Sequence, residues 1–236
     1  MNEMKRVLNE GYVRIIDVMG DDTSVVNAAR ASFDKSTEEM TEADVRLLKF
    51  LARESHFSPF RHAMLTFEIY APLVVTRQWE KYIVGSDHTM DARSESSRRY
   101  ITEEPTFYVP TPEQWRKKPA NSKQGSGGNF TPEELGIAYT SELEKFYQHA
   151  EAIYERALGI GIAPEQARLF LPAYGMYVRW RWTASLQSVA HFLNQRMAHD
   201  SQWEIQQYAN AVYELVKPYY PHSIEALVGG SDDITR

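Results

Sequence analysis

Leu65-Thr66-Phe67-Glu68-Ile69 alternates apolar with polar side chains, and Ala71-Pro72 follows directly. Such alternation marks a strand with one buried face. Pro72 stands where a helix would start and Gly85 where it would stop, since proline suits a first turn and glycine a helix end. Between them Val75, Trp79, Tyr82 and Ile83 fall on one face. A strand therefore runs straight into an amphipathic helix. A second such unit lies late in the chain: Met176, Val178 and Trp180 alternate with Tyr177, Arg179 and Arg181, and Ser185 is placed to cap a helix to about Ala198.

The remaining elements arrange themselves around these two units. Gly11 to Val18 reads as a strand ended by the turn Gly20-Asp21-Asp22, with Asp22 or Thr23 capping a helix through Ala31. Thr41 and Asp44 resemble a capping box for a helix to about Glu54. His56 to His62 reads as a loop, and Ser86 to Ser97 as polar and irregular. Tyr100 to Val109, which contains Pro105, reads as an edge strand or extended loop. Lys117 to Asn129, with Pro119 and Gly125-Ser126-Gly127-Gly128, predicts a flexible surface insertion. Thr131-Pro132-Glu133-Glu134 opens a long helix to about Leu158. Further helices start at Ala163-Pro164-Glu165 and near Ser201, the latter running to Val216 before Pro218. The sum is α+β: long helices packed on a mostly antiparallel sheet, as a single domain over 1–236 with a flexible loop at about 117–130.

Composition narrows the chemistry. The 236 residues are 43% hydrophobic, enough to bury a sizeable core, and the formal net charge of −6 argues against general nucleic-acid binding. A small anion needs only a local cluster of cations. There is no cysteine, which removes disulfides, thiolate nucleophiles and zinc–thiolate sites. Met1 to Gly20 lacks an apolar core of the signal-peptide type, and no apolar run reaches the ~20 residues of a membrane helix, so the expected location is cytoplasmic. No HExxH, GxSxG, GxGxxG or phosphate-loop pattern occurs, and no metal is expected.

Arg93-Ser94-Glu95-Ser96-Ser97-Arg98-Arg99-Tyr100 is the densest polar cluster. Guanidinium forks match phosphate oxygens and hydroxyls add short donors, so a mononucleotide phosphate is a natural ligand. From composition alone, a solvated charged loop with local Arg–Glu pairs is the more ordinary reading. Arg77-Gln78-Trp79 lies mid-helix with Lys81 on the Arg77 face, and Gln78 offers both a donor and an acceptor. Arg168 and Arg196 sit among apolar neighbours, where an arginine either snorkels or pairs with an anion.

In this order the motifs resemble the flavin-dependent thymidylate synthases. That family's signature runs Arg-His-Arg, then Ser, then Glu-x-Ser-x-Arg-Tyr. Arg77-Gln78-Trp79, followed downstream by Glu95-Ser96-Ser97-Arg98-Arg99-Tyr100, looks like this signature with its basic triplet changed. His56 to His62, Ala71-Pro72, Ala167-Arg168 through Leu171-Pro172, Phe192-Leu193-Asn194 with Arg196, and Gln202-Trp203-Glu204-Ile205-Gln206 are similar as well. Lys81-Tyr82-Ile83 replaces the family's basic triplet, about Asp87 to Arg93 is inserted, and His191 stands where the family has Asn.

The resemblance implies reductive methylation of dUMP to dTMP, with methylenetetrahydrofolate as carbon donor and NADPH as reductant through FAD. It implies no enzymic cysteine nucleophile. It implies that Arg196 polarises the uracil, and that Gln78, Trp79, Lys81, Glu95, Ser96, Ser97, Arg98, Arg99, Arg168 and Arg196 hold dUMP. It places His56, Ser58, Lys81, Tyr82, Ile83, Glu95, Ser185, Gln187 and His191 at the flavin. It also implies a homotetramer with shared active sites. The alternative is a nucleotide-binding relative that has lost flavin through the Lys81-Tyr82-Ile83 change and serves as a binding or regulatory module.

Overall fold

The computed structural model describes residues 3–84, 92–96, 104–120 and 125–228. Five strands form one sheet in the order β1-β2-β3-β5-β4, and every pairing is antiparallel. The strands are β1 (Met4–Val7), β2 (Gly11–Met19), β3 (Met64–Pro72), β4 (Ala92–Glu95) and β5 (Tyr177–Ser185). The two alternating stretches are neighbours: Phe67 lies opposite Trp182 and Ile69 opposite Trp180. Their apolar side chains reach one face, where Leu65, Phe67, Ile69, Trp180 and Trp182 are all buried. The opposite face carries a polar ladder. Tyr12 donates to Glu68 Oε1 (3.0 Å), Arg179 Nε donates to the Tyr12 hydroxyl (3.1 Å), and Thr66 and Thr183 share a hydrogen bond.

Eight α-helices accompany the sheet among the described residues: α1 (Asp22–Arg30), α2 (Glu42–Arg53), α3 (Leu73–Val84), α4 (Ile137–Gly159), α5 (Pro164–Ala167), α6 (Leu186–Arg196), α7 (Trp203–Val216) and α8 (Pro221–Val228). Helices α3 and α6 each leave the end of a strand and meet through aromatic rings. Trp79 stacks on Phe192 (4.1 Å between centroids) and stands edge-on to Trp180 and Trp182 (5.5 and 5.4 Å). A smaller core of Phe107, Tyr147, Tyr154, Ala167 and Leu171 lies under α4. No described helix is long and apolar enough to cross a membrane.

Several boundaries differ from expectation for local reasons. Asp21, rather than Asp22 or Thr23, caps α1, and Ser24 completes its capping box. Asp22 instead accepts from the backbone N–H of His222 and Ser223 (2.8 and 2.9 Å), which caps α8, a helix the sequence pattern does not reveal. Strand β1 is likewise absent from the pattern, being short and carrying Lys5 and Arg6. Ser58–His62 is a 3₁₀ turn rather than a loop. The polar Ser86 to Ser97 stretch contains β4, held at the sheet edge by β5. Thr131 caps a wide π turn over Pro132–Gly136, and only then does α4 begin. The helix stop at Gly85, most of the 87–93 insertion and Tyr100 to Glu103 lie outside the described residues.

Candidate functional site

Helix α3 carries the Arg77-Gln78-Trp79 motif along three environments. Arg77 is exposed, Gln78 is half-buried and Trp79 is wholly buried in the aromatic core. Trp79 thus packs beneath the site instead of lining it. Arg196, in the last turn of α6, is 9% exposed, and its Nη2 donates to the Gln78 backbone carbonyl (3.3 Å). The negative end of the α6 dipole favours a cation there.

A third wall comes from the predicted surface insertion. Residues 115–118 and 127–130 pair back to back: Lys117 N donates to Gly128 O (2.9 Å), Gly127 N to Lys117 O (2.8 Å) and Phe130 N to Trp115 O (2.8 Å). Gly125 sits at φ +72°, so close to the Asp200 backbone that a Cβ would lie 3.3 Å from its carbonyl oxygen; both demands favour glycine. The arm is latched where Arg116 Nη2 meets Glu204 Oε1 at 2.5 Å, near the start of α7. The Tyr108 hydroxyl donates to the same oxygen (3.3 Å). Burial, and then the Glu204 charge, push the Tyr108 hydroxyl far above its usual range, so it remains a donor.

These three walls enclose a cleft of about 990 Å³. Its lining includes Lys81, Arg116, Lys117, Lys118 and Arg196 against the carboxylates Asp200 and Glu204, five cations against two anions. An acidic chain therefore presents a locally basic cavity, which suits an anionic ligand. Gln78, Lys81 and Arg196 are brought together here. Arg116, Lys117, Lys118, Gln202 and Glu204 also line the cleft. The sequence gives Gln202 and Glu204 no role beyond their place in the family-like stretch Gln202 to Gln206, and the run Arg116-Lys117-Lys118 is of a kind that is more often a solvated face.

Several of the residues assigned to the flavin by resemblance lie elsewhere, whereas Lys81 lines the cleft. Gln187, in the first turn of α6, accepts from Arg61 Nε (3.2 Å), which ties the Ser58–His62 turn to that helix. Ser58 and His56 are exposed on the same segment, and His191 is half-buried further along α6. Ser185 is spent locally, accepting from Ser188 N as the α6 cap (3.2 Å). Gln187 and Arg196 are separated by roughly 13 Å of helix, so α6 carries one candidate set at each end. Glu95 is exposed and pairs with Arg93 (2.5 Å), which lies over Trp180 and also reaches Glu80 of α3 (3.1 Å). The Ser96 hydroxyl accepts from Arg179 N (3.3 Å).

Arg168 stands apart. It is exposed after α5, its Nε donating to Glu165 O (3.3 Å), and it does not line the cleft. Ser97, Arg98, Arg99 and the side chains of Tyr82 and Ile83 lie outside the described residues.

Residues 14–222 match the family model described as thymidylate synthase complementing protein. A flavin-dependent thymidylate synthase of Thermus thermophilus is 38% identical over 91% of this chain and 74% of its own length. One from Thermosipho africanus is 34% identical over 94% of this chain and 93% of its own. The chain belongs to the flavin-dependent thymidylate synthase family. Among solved structures it is similar to the UMP/dUMP methylase PolB of Streptomyces cacaoi, bound with 5-Br dUMP (TM-score 0.80, 26% identity, covering 95% of this chain and 97% of that one). The same enzyme bound with 5-Br UMP gives a TM-score of 0.78 at 27% identity, with 95% of each chain covered. Family membership agrees with an α+β chain that has no cysteine to offer as a nucleophile.

Proposed function

We propose that this protein converts dUMP to dTMP, with methylenetetrahydrofolate supplying the carbon and NADPH the reducing equivalents through FAD. The observation that carries the reading is the basic cleft in which Gln78, Lys81 and Arg196 converge beside Arg116 and the two lysines. A nucleotide monophosphate is an anion with hydrogen-bonding ring edges, and this lining offers cations together with an amide that can both donate and accept. Arg196 holds a fixed positive charge where negative charge develops on the pyrimidine ring, and it needs no reorganisation to do so. The cations of the arm and α3 hold the phosphate, with Ser97 and Arg99 completing its grip.

The donor set at the other end of α6 fits a flavin dinucleotide. Arg61 and the Ser58 hydroxyl suit phosphate oxygens, while Gln187 and His191 suit the polar edges of rings. Flavin, when bound, supplies the redox chemistry that side chains lack. The protein's part is to orient the ligands and hold charge.

Arg168 lies off the cleft, beside the exposed apolar side chains Leu169, Phe170 and Tyr174, of which Leu169 is 80% exposed. This arrangement supports a homotetramer in which one subunit's Arg168 completes another's nucleotide site. A cysteine-free chain in which no described helix could cross a membrane agrees with a cytoplasmic enzyme.

The test is direct. Protein purified with FAD should show a bound-flavin absorption spectrum and form dTMP from dUMP when NADPH and methylenetetrahydrofolate are present. Each omitted component should abolish the product. A protein that binds dUMP but neither takes up FAD nor forms dTMP would overturn the reading and favour a binding module.

A further inference from the structure

We infer that Glu204 is a positioning residue which, through Gln202, fixes which edge of the Gln78 amide faces the nucleotide. The inference rests on the cleft being the dUMP site. Glu204 is 4% exposed, and its carboxylate receives three donors: Arg116 Nη2 (2.5 Å), the Tyr108 hydroxyl (3.3 Å) and Gln202 Nε2 (2.7 Å). Gln202 Oε1 in turn accepts from Gln78 Nε2. A glutamine amide can sit either way round, and its neighbours decide which. An ionised carboxylate only accepts. It therefore obliges Gln202 to turn its NH₂ toward it, which leaves Gln202's oxygen facing α3. Gln78 must then turn its own NH₂ toward Gln202. Both amides lose their ambiguity, and Gln78 presents the cleft with its oxygen and its one remaining N–H in a set order. Arg116 and Tyr108, as donors on the other side, stabilise the acceptor that starts the relay.

Two substitutions separate this role from a purely structural one. Glu204→Gln keeps the shape, but Arg116 and Tyr108 hold the new amide by its oxygen, so its NH₂ faces Gln202 and the relay is turned round. Gln202→Met cuts the relay and leaves the contacts of Glu204 with Arg116 and Tyr108 in place. Affinity for dUMP is measured by calorimetry on the FAD-loaded protein, and kcat and KM are measured alongside. Each variant is expected to weaken dUMP binding on the order of tenfold, the effect of one misdirected buried hydrogen bond. The double variant should be no weaker than the worse single one, because both break the same relay. The methylenetetrahydrofolate KM should stay near the parent value, and Gln202→Met, which keeps Arg116 and Tyr108 on the carboxylate, should still fold and load FAD as the parent does.

If Gln202→Met leaves dUMP affinity unchanged while Glu204→Gln lowers affinity and melting temperature together, Glu204 only anchors the arm and the inference is overturned. Additive effects in the double variant overturn it too. If the parent protein binds no dUMP at all, the substrate reading falls first and the inference falls with it.

Discussion

Replacing Arg196 with alanine should remove most of the turnover and only a modest part of the stability. The guanidinium is 9% exposed, sits in the last turn of α6 and donates to the Gln78 carbonyl at 3.3 Å. A hydrogen bond from a charged donor contributes about 1.5–3 kcal/mol, and the length of this one places it at the low end. The favourable helix-end position adds about 0.3–1 kcal/mol. Together the loss is roughly 2–3 kcal/mol, or a fall in melting temperature on the order of 4–12 °C for a chain of this size. The effect on chemistry should be larger. A preorganised donor aimed at developing charge contributes about 10²–10³ in kcat. Arg196→Lys keeps the charge but not the planar fork, and should fall between. The assay is dTMP formation at saturating dUMP, with FAD content and thermal melting measured on the same preparations. An alanine variant with full FAD occupancy and kcat within about threefold of the parent would refute the role given to Arg196, because that loss is far below the effect of one such donor.

Two further outcomes follow from the fold. Trp79→Ala should cost about 3–5 kcal/mol, the usual range for deleting a buried tryptophan, since the ring is fully buried against Phe192, Trp180 and Trp182; urea unfolding that shows a loss below about 1 kcal/mol would contradict this packing. The Thr41 hydroxyl, with the Thr41 backbone and Arg30, holds the Asp44 carboxyl below its ordinary range, and the Thr23 hydroxyl does the same for Asp21. Their stabilising effect should be complete above the unfolded value of about 3.9 and disappear as pH falls through the lower folded values. Asp44→Asn should accordingly be less stable at neutral pH and lose less on acidification, and an unchanged acid limb in pH-dependent unfolding would show that Asp44 contributes nothing.

Much of the fold can be read from short stretches of the chain. The alternation in Leu65 to Ile69 and in Met176 to Arg181 marks β3 and β5, and the Thr41–Asp44 box marks α2. These signals are local, because side-chain direction repeats within a few residues and a cap bonds to its own first turn. Helix α8 is not legible in this way because its cap, Asp22, lies 200 residues away from His222. Strand β4 escapes the pattern because a short polar edge strand is defined by its neighbour, here β5, more than by its own composition. The Lys117 to Asn129 stretch has a loop's composition, yet it pairs on itself and lines the cleft, a placement that depends on the buried Glu204 receiving Arg116.

The candidate site divides along the same line. Residue types and their order along the chain are enough to define the class of chemistry: no cysteine to attack a pyrimidine, an ordered set of family motifs, and the arginines and amides to hold an anion. They also single out Gln78, Lys81 and Arg196. It takes the folded chain to show that these share one cavity with Arg116, Gln202 and Glu204 and that Arg168 lies off the cleft, while Trp79 lies in the core as its helical spacing indicates and not at dUMP as the resemblance implies. Residue type and local spacing are written along the chain, whereas a buried carboxylate finds its donors wherever packing brings them. Gln78 and Gln202, which share a hydrogen bond at the centre of the cleft's polar relay, are 124 residues apart, far beyond the reach of any local motif.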